Sequence, residues 1–348
     1  MRAVVIDAIG VEPQVREVPA PQPPAGGVVV DVSATGLCRS DWHAWAGHDQ
    51  IQLPHIPGHE LAGTISAVGE GVRSWRVGQR VTVPFVCGCG ACTWCSRGDP
   101  QVCPHQQQPG FTHFGSFAEQ VALHAAEANL VAVPDDVSDI AAASLGCRFA
   151  TAYRGLTSRA RLSAGETLAV IGAGGVGLSA VMIGHALGAR VIAADRNPAA
   201  LRLAARLGAE ETVLVTEEPA AGAIAELTGG GADVAVDAVG SEQTCTDAMM
   251  SLRRRGRHVQ IGLLPPVEGH PRVPMDRVIA WELDLFGSHG MAAGEYPEML
   301  KLIAQGRLDP QQLVGRTVGL AEAARLLPRM DQPADAQAGV TMIRPTQL

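Results

Sequence analysis

The sequence lacks the features that would indicate a nucleic-acid-binding, secreted or membrane protein. Its 348 residues carry a formal charge of −8, whereas a nucleic-acid binder needs a basic stripe. The nearest approach to one, Arg253–Arg255, we interpret as the solvated C-terminal end of a helix. Met1-Arg2 leads into a short run that Asp7 already interrupts, which is not a secretory signal. The longest nearly apolar run, 168–184, is rich in glycine and shorter than a membrane span. We therefore expect a cytoplasmic protein with no nucleic-acid or membrane partner.

The composition is that of a globular protein with room for two domains and a large core. The 40 glycines and 23 prolines are spread along the chain, which indicates turns rather than a disordered tract. In the reducing cytoplasm, a chain with eight cysteines is expected to use them in metal binding rather than in disulfides.

The chain up to about Val133 predicts a β domain. Four segments have strand length and a high content of β-branched residues: 28–35, 61–68, 79–85 and 117–123. Turns rich in proline and glycine separate them. The spacing favours a compact, barrel-like domain over βαβ units.

From about Gly165 the pattern changes to alternating strands and helices. The predicted strands are 168–171, 190–194, 212–215, 233–237, 257–261 and 282–286. The predicted helices between them are 175–187, 198–207, 221–227 and 241–252. This alternation predicts a doubly wound parallel sheet of the Rossmann type. After Gly287, two helices near 296–304 and 320–327 and a strand near 340–343 are expected to return to the first domain.

A glycine-rich loop connects the first strand and helix of that sheet. It runs Gly172-Ala173-Gly174-Gly175-Val176-Gly177, a GxGxxG pattern that directly follows a predicted strand and opens a predicted helix. The glycines allow the helix N-terminus to face a pyrophosphate. Asp195, at the end of the next strand, can accept a hydrogen bond from a ribose 2′-hydroxyl and would repel a 2′-phosphate. NAD is therefore favoured, with the neighbouring Arg196 leaving NADP open.

Four cysteines lie within 15 residues: Cys89, Cys92, Cys95 and Cys103. Four thiolates in a compact lobe suit a tetrahedral structural zinc site with no open position. An iron–sulfur centre is one alternative, although the last gap is seven residues where that pattern needs three. Oxidised or metal-free thiols are another. Cys87 is out of step with the cluster, and we interpret it as a buried thiol.

Three further candidate ligands lie in separate motifs. Cys38 opens the run Cys38-Arg39-Ser40-Asp41-Trp42-His43, His59 lies in Gly58-His59-Glu60, and Cys147 lies where the two regions join. Taken singly, such residues are more often buried thiols or hydrogen-bonded histidines than ligands.

Together these motifs, in this order and approximate spacing, resemble the zinc-dependent medium-chain alcohol dehydrogenases nearly from end to end. The resemblance implies an α/β protein with a GroES-like β-barrel catalytic domain and a doubly wound Rossmann cofactor domain. The expected limits are 1–148 for the catalytic domain, 149–286 for the NAD-binding domain, and 287–348 for the return to the catalytic domain.

The resemblance also implies two zinc ions in each chain. Cys38, His59 and Cys147 would hold a catalytic zinc with an open fourth position, as Lewis-acid catalysis requires. Cys89, Cys92, Cys95 and Cys103 would hold the structural zinc. Glu60 would lie close behind the catalytic metal and could displace water from it.

The roles of the neighbouring residues follow from the same resemblance. Ser40 would accept the proton of the alcohol and His43 would pass it towards solvent. Arg39 would pair with the pyrophosphate of the cofactor, and Asp41 would support the ligands from behind.

The resemblance places four apolar side chains in the substrate pocket: Trp42, Phe85, Leu263 and Leu285. This lining favours an NAD-dependent dehydrogenase of apolar primary, secondary or benzylic alcohols. Formaldehyde, threonine or polyol dehydrogenases are alternatives. A further alternative is a quinone-reductase-like or non-catalytic NAD-binding protein, but such relatives lack the three candidate ligands of the catalytic zinc. A short connection between Cys103 and Cys147 favours, by analogy, a tetrameric over a dimeric homo-oligomer.

Overall fold

Two sheets and one hairpin contain the strands of the computed structural model, which describes residues 1–264, 269–332 and 338–347. In chain order the strands are β1 (Arg2–Val5), β2 (Gln14–Glu17), β3 (Val28–Leu37), β4 (Leu61–Val68), β5 (Arg80–Thr82), β6 (Gln120–Leu123), β7 (Val131–Ala132), β8 (Thr167–Ile171), β9 (Arg190–Asp195), β10 (Glu211–Leu214), β11 (Ala232–Asp237), β12 (Leu252–Gln260), β13 (Asp284–Gly287), β14 (Val314–Val318) and β15 (Val340–Ile343). The α-helices are α1 (Arg39–Trp45), α2 (Thr93–Ser96), α3 (Ala126–Asn129), α4 (Asp139–Ser144), α5 (Ala150–Arg154), α6 (Gly175–Ala186), α7 (Pro198–Arg206), α8 (Ala220–Thr228), α9 (Glu242–Met250), α10 (Met275–Trp281), α11 (Tyr296–Ala304) and α12 (Leu320–Leu326). Across these described ranges, each helix is too short or too polar to span a lipid bilayer.

The chain folds into two units. The first consists of Met1–Ala150 and most of the chain from Gly290 onward, and the second of Thr151–His289.

Strand β3 is the centre of the sheet in the first unit. The order is β14-β15-β3-β4-β5-β7, and β6 also pairs with β3. Val28, Val30 and Val32 are buried in one apolar core with side chains from β4, β5 and β6, whereas Asp31 is exposed. Burying each such valine stabilises the fold by about 1.5–3 kcal/mol. This burial holds β3 in place, and the first candidate metal ligand, Cys38, directly follows its last residue, Leu37.

The C-terminal strand supports the same end of β3. In the antiparallel pairing of β15 with β3, Thr341 lies opposite Leu37, the residue before Cys38. The position of Cys38 therefore depends on a segment about 300 residues further along the chain.

The second unit contains a parallel sheet of six strands in the order β10-β9-β8-β11-β12-β13. The strand order reverses between β8 and β11, and doubly wound sheets bind ligands at the carboxyl ends of the strands at this point. Residues 168–171 of β8 are all buried, as is typical of a parallel strand covered on both faces. The doubly wound sheet predicted from the alternating pattern is thus present.

The interpretation of Arg253–Arg255 as a helix end is wrong. Helix α9 ends at Met250, and the three arginines are exposed residues near the start of β12. Two of the charges have partners in other elements: Arg253 pairs with Asp233 in β11, and the Arg254 guanidinium lies 4.7 Å from the centre of the Trp281 ring at the end of α10. An irregularity in the pairing of β11 with β12 accommodates the extra residues.

A helical segment that the sequence pattern did not reveal links the two units along the chain. It contains α4, a π-helical turn at Leu145–Phe149, and α5. π-Turns are rare and are frequently found at functional sites. This one carries Cys147 and Arg148.

Candidate active site

Three candidate ligands from distant parts of the first unit come together. A ring nitrogen of His59 and the sulfurs of Cys38 and Cys147 all lie within 4.8 Å of one another, and all three residues are buried. Cys38 is the extended residue between β3 and α1, His59 lies in the loop before β4, and Cys147 lies on the π-turn.

Asp41 links two of these ligands from behind. Its Oδ2 accepts a hydrogen bond from the backbone N–H of Cys38 at 3.0 Å. Its Oδ1 lies 3.0 Å from both the Gly58 backbone N–H and Nδ1 of His59. The carboxylate is fully buried, so it fixes both the start of α1 and the orientation of the imidazole.

The imidazole of His59 has a free nitrogen. With Nδ1 held by Asp41, Nε2 is buried and has no hydrogen-bond partner among the described residues. Burial lowers the pKa of His59, but Asp41, together with the neighbouring Cys38, outweighs it and raises the pKa above its usual value. A carboxylate behind a histidine whose other nitrogen faces thiols is the usual arrangement of a metal-ligating histidine. These donors therefore fit a zinc ion with two sulfur ligands and one nitrogen ligand.

The two thiols of this site differ in acidity. A hydrogen bond from Cys147, with the neighbouring His59 and Arg148, lowers the pKa of Cys38, although burial opposes the shift. The same hydrogen bond and burial raise the pKa of Cys147. Cys38 is therefore the first of the pair to become a thiolate, the form that binds a metal.

Glu60 is held by Arg148, which sequence reasoning did not identify. The Arg148 guanidinium donates from Nε to Oε1 of Glu60 at 2.9 Å and from Nη2 to Oε2, while the Arg148 backbone N–H donates to Oε1 at 3.0 Å. Nη1 also donates to the Leu37 carbonyl at 3.2 Å. Residue 36 must be glycine here, because a Cβ would lie 2.1 Å from Oε2 of Glu60. Glu60 is thus next to the ligands but fully engaged by a neutralising partner.

The proposed relay residues lie on the first turns of α1. Ser40 Oγ lies 3.8 Å from Cys38 Sγ, and His43 is half-buried one turn further on. Burial lowers the pKa of His43, and the nearby charges of Arg39 and His48 lower it further. His43 is therefore neutral near pH 7 and free to accept a proton.

Arg39 lies at the surface at the start of α1. Its guanidinium stacks 4.2 Å from the centre of the Trp42 ring and donates a hydrogen bond to the Met330 carbonyl. Trp42 is thus engaged with a cation as well as with the apolar core beneath it.

The four-cysteine cluster forms a second metal-binding lobe around α2. Its sulfurs are 3.6 Å apart for Cys92–Cys95 and Cys92–Cys103, and 4.0 Å apart for Cys89–Cys95. These distances exclude disulfides and match the spacing of about 3.8 Å that a tetrahedral ion with 2.3 Å bonds to sulfur requires. Backbone N–H groups of Ala91 and Cys92 lower the pKa of Cys89 to about 6. The lobe fits a structural zinc ion. Cys87 lies outside it, and burial raises the pKa of its thiol to about 12.

The glycine-rich loop lies in the second unit between β8 and α6. A Cβ on Gly177 would lie only 1.7 Å from the Gly172 carbonyl oxygen, whereas one on Gly174 would meet open space. Gly175, Val176 and Gly177 form the first turn of α6, whose N–H groups have no intrahelical partner by geometry. This close-packed turn with an open face fits a dinucleotide pyrophosphate.

The predicted ribose-binding residue lies at the end of β9. Asp195 accepts backbone hydrogen bonds from Ala173 at 2.5 Å and from Asn197 at 2.7 Å, so it is fixed against the loop. Arg196 follows it and is exposed.

Two aromatic rings lie close to the His59 imidazole. The ring centroid of Phe85 lies 5.9 Å from that of His59, and the ring of Phe111, which the sequence analysis missed, lies at 5.1 Å. The predicted pocket residues Leu263 and Leu285 lie in the second unit, where they are 49% and 40% exposed.

Comparisons with known proteins identify the family. The family model described as "Alcohol dehydrogenase GroES-like domain" matches residues 24–135, and the family model described as "Zinc-binding dehydrogenase" matches residues 175–305. An alcohol dehydrogenase of Geobacillus stearothermophilus is 35% identical over 311 residues, 88% of this chain and 90% of that protein. A sorbitol dehydrogenase of Halalkalibacterium halodurans is 30% identical over 312 residues, 88% of this chain and 89% of that protein. A solved NAD-dependent alcohol dehydrogenase has a TM-score of 0.88 and 30% identity, covering 99% of this chain and 100% of its own.

The chain therefore belongs to the zinc-dependent medium-chain alcohol dehydrogenase family. The family resemblance and the predicted fold class, a GroES-like domain with a Rossmann-type parallel sheet, are confirmed. The protein is an oxidoreductase of this class.

Proposed function

We propose that the protein interconverts an apolar primary, secondary or benzylic alcohol and its aldehyde or ketone, with NAD as the hydride acceptor. The main observation that supports this function is the buried set of Cys38, His59 and Cys147. Within it, Nε2 of His59 has no hydrogen-bond partner among the described residues. Quinone-reductase-like relatives of this fold lack such a set.

Cys38, His59 and Cys147 would hold the catalytic zinc, and the four-cysteine lobe would hold the structural one. Zinc with an open position would supply Lewis acidity to the alcohol oxygen. The chain itself orients the ligands: Asp41 fixes the His59 ring, and the Arg148–Glu60 pair places a carboxylate beside the ligands without leaving its charge unpaired.

The first proton acceptor is Ser40, which lies next to Cys38 at the start of α1. A serine hydroxyl can accept one proton while donating another, so it can pass the proton of the alcohol onward without becoming charged. His43 is the base that receives the proton, since burial and neighbouring charges keep its ring neutral near pH 7.

The glycine-rich loop and Asp195 support NAD as the cofactor. The turn formed by Gly172, Gly174 and Gly177 leaves space for a pyrophosphate at the N-terminus of α6. Asp195 would bind the ribose hydroxyls and repel a 2′-phosphate, and Arg39 would add a positive charge for the diphosphate.

The apolar substrate class rests on the side chains around the imidazole of His59. The rings of Phe85 and Phe111 lie 5.9 and 5.1 Å from that of His59, and we assign Trp42 to the same apolar lining within the first unit. Apolar walls bind hydrocarbon groups and offer no hydrogen bonds to the extra hydroxyls of a polyol.

The test is NAD reduction with ethanol, 2-butanol, benzyl alcohol, cinnamyl alcohol and sorbitol, before and after zinc chelation. We expect turnover of the apolar alcohols, lost on chelation and restored by zinc. Turnover of sorbitol alone would reject the apolar pocket, and turnover that survives complete zinc removal would reject the metal assignment.

A polyol substrate is the second candidate, because the chain is 30% identical to a sorbitol dehydrogenase over most of its length. The panel separates the two candidates by the ratio of kcat/KM for benzyl alcohol to that for sorbitol.

We also propose that the protein is a cytoplasmic homo-oligomer, with a tetramer favoured over a dimer. Strand β13 is the edge strand of the parallel sheet and contains the exposed Leu285, and Ile279 is exposed on the preceding helix α10. A second copy could cover these apolar side chains. Light scattering after size-exclusion chromatography measures the subunit number directly.

A further inference from the structure

His43 has a second histidine as its direct partner. Nδ1 of His43 lies 2.9 Å from Nδ1 of His48. An imidazole nitrogen is either a donor or an acceptor, so a contact at this distance requires one proton between the two rings. His48 is exposed, whereas His43 is half-buried. The pair therefore leads from the interior of the site to solvent.

The end of helix α1 creates this contact. The His48 backbone N–H donates to the His43 carbonyl at 2.9 Å, and the Gly47 N–H donates to the Ala44 carbonyl at 3.1 Å. With Gly47 at φ +85°, this is a Schellman motif, which brings the side chains at its two ends together. Those ends usually carry apolar residues, but here they carry His43 and His48. Gly47 has no simple replacement, since its φ is unfavourable for other residues and a Cβ would lie 2.8 Å from Ile9.

We propose that His48 is the outer proton carrier of the active site, taking the proton from His43 and releasing it to water. The proposal rests on the proposed function, in which His43 is the base. The steps balance for one proton: Nε2 of His43 gains a proton, Nδ1 of His43 gives its own proton to Nδ1 of His48, and Nε2 of His48 loses one to water. Exchange of both rings with water between turnovers restores the starting tautomers.

The surroundings of the pair favour outward transfer. Burial lowers the pKa of His43 most, and the charges of Arg39 and His48 lower it further. Asp49 and Cys38 raise it by smaller amounts. Burial and the nearby positive charge of Arg39 therefore disfavour the protonated form of His43. A cation on His48 would be exposed to water. Trp42 packs edge-on against both rings, at 5.0 and 5.3 Å, and limits their rotation.

The first arm of the test uses NMR on the enzyme without cofactor, labelled with ¹⁵N in histidine. We expect one proton resonance that correlates with Nδ1 of both His43 and His48, and that disappears in His48→Ala. Two rings without a common proton would overturn the proposal.

The second arm measures alcohol oxidation as a function of pH with His48→Ala and His48→Gln. Glutamine can still accept a hydrogen bond from His43 but cannot carry a proton onward. We expect both variants to lower kcat roughly tenfold below pH 7, less than the loss of a direct base, with KM unchanged and added imidazole restoring the rate. His185→Ala, an exposed histidine in the last turn of α6, serves as the control and should behave as the wild type.

A wild-type rate in His48→Gln would show that His48 only orients His43, which would overturn the proposal. Unchanged kcat in both variants would overturn it as well. Failure of the proposed function has a different signature, a wild-type enzyme that oxidises no alcohol, and in that case the shared proton resonance still decides whether the two rings exchange a proton.

Discussion

Replacing Arg148 with methionine removes the positive half of a buried charge pair. The side chain of Glu60 is 0% exposed and that of Arg148 is 10% exposed. In Arg148→Met the carboxylate keeps the backbone N–H of residue 148 but loses both guanidinium hydrogen bonds. Removing one partner of a buried pair costs about 3–5 kcal/mol, because the remaining charge is left uncompensated. We expect a loss of this size in the free energy of unfolding of the first unit.

The double variant Arg148→Met/Glu60→Gln separates charge from shape. With no charge left to bury, it should recover at least about 2 kcal/mol relative to Arg148→Met. Urea unfolding followed by tryptophan fluorescence is a suitable assay, because four of the five tryptophans lie in the first unit: Trp42, Trp45, Trp75 and Trp94. A loss below about 1 kcal/mol in Arg148→Met, or a double variant no more stable than the single one, would refute this reasoning.

Three further predictions concern the metal ligands, the cofactor preference and a buried histidine. Cys147→Ala should abolish alcohol oxidation and lower the zinc content from two ions to one per chain by elemental analysis, because the four-cysteine lobe is untouched. Asp195→Gly should raise the NADP/NAD ratio of kcat/KM by removing the repulsion of a 2′-phosphate. Burial and the neighbouring His124 lower the pKa of His113 to about 4, against about 6.5 in the unfolded chain. The unfolded state therefore binds more protons in this range, and stability falls as the pH drops from about 6.5 to about 4. Urea midpoints at pH 7 and pH 5 should show a smaller drop for His113→Gln than for the wild type.

Each of these predictions has an outcome that contradicts it. Full activity or two retained zinc ions in Cys147→Ala would remove that residue from the ligand set. An unchanged cofactor ratio in Asp195→Gly would mean that another residue sets the preference. Equal drops in urea midpoint for His113→Gln and the wild type would mean that other groups control the acid response.

Much of the fold was predictable because it depends on local periodicity. The predicted ranges 61–68, 296–304 and 340–343 coincide with β4, α11 and β15, since each combines strong apolar patterning with clear turn residues. Arg253–Arg255 was assigned wrongly because a run of charges has no periodicity of its own, and its strand conformation depends on pairing with β11.

By itself, the amino-acid sequence indicated the four-cysteine cluster, the glycine-rich loop and Asp195, because residue type and short spacing carry that chemistry. It grouped Cys38, His59 and Cys147 only through the family resemblance, since these three residues lie far apart along the chain. The tertiary structure alone decided what surrounds them. Arg148 neutralises Glu60 across 88 residues of chain, Phe111 reaches His59 from a separate loop, and Asp41 joins Cys38 to His59. These contacts form only when β3, the loop before β4 and the π-turn pack together, and no local pattern records which side chains meet in such packing.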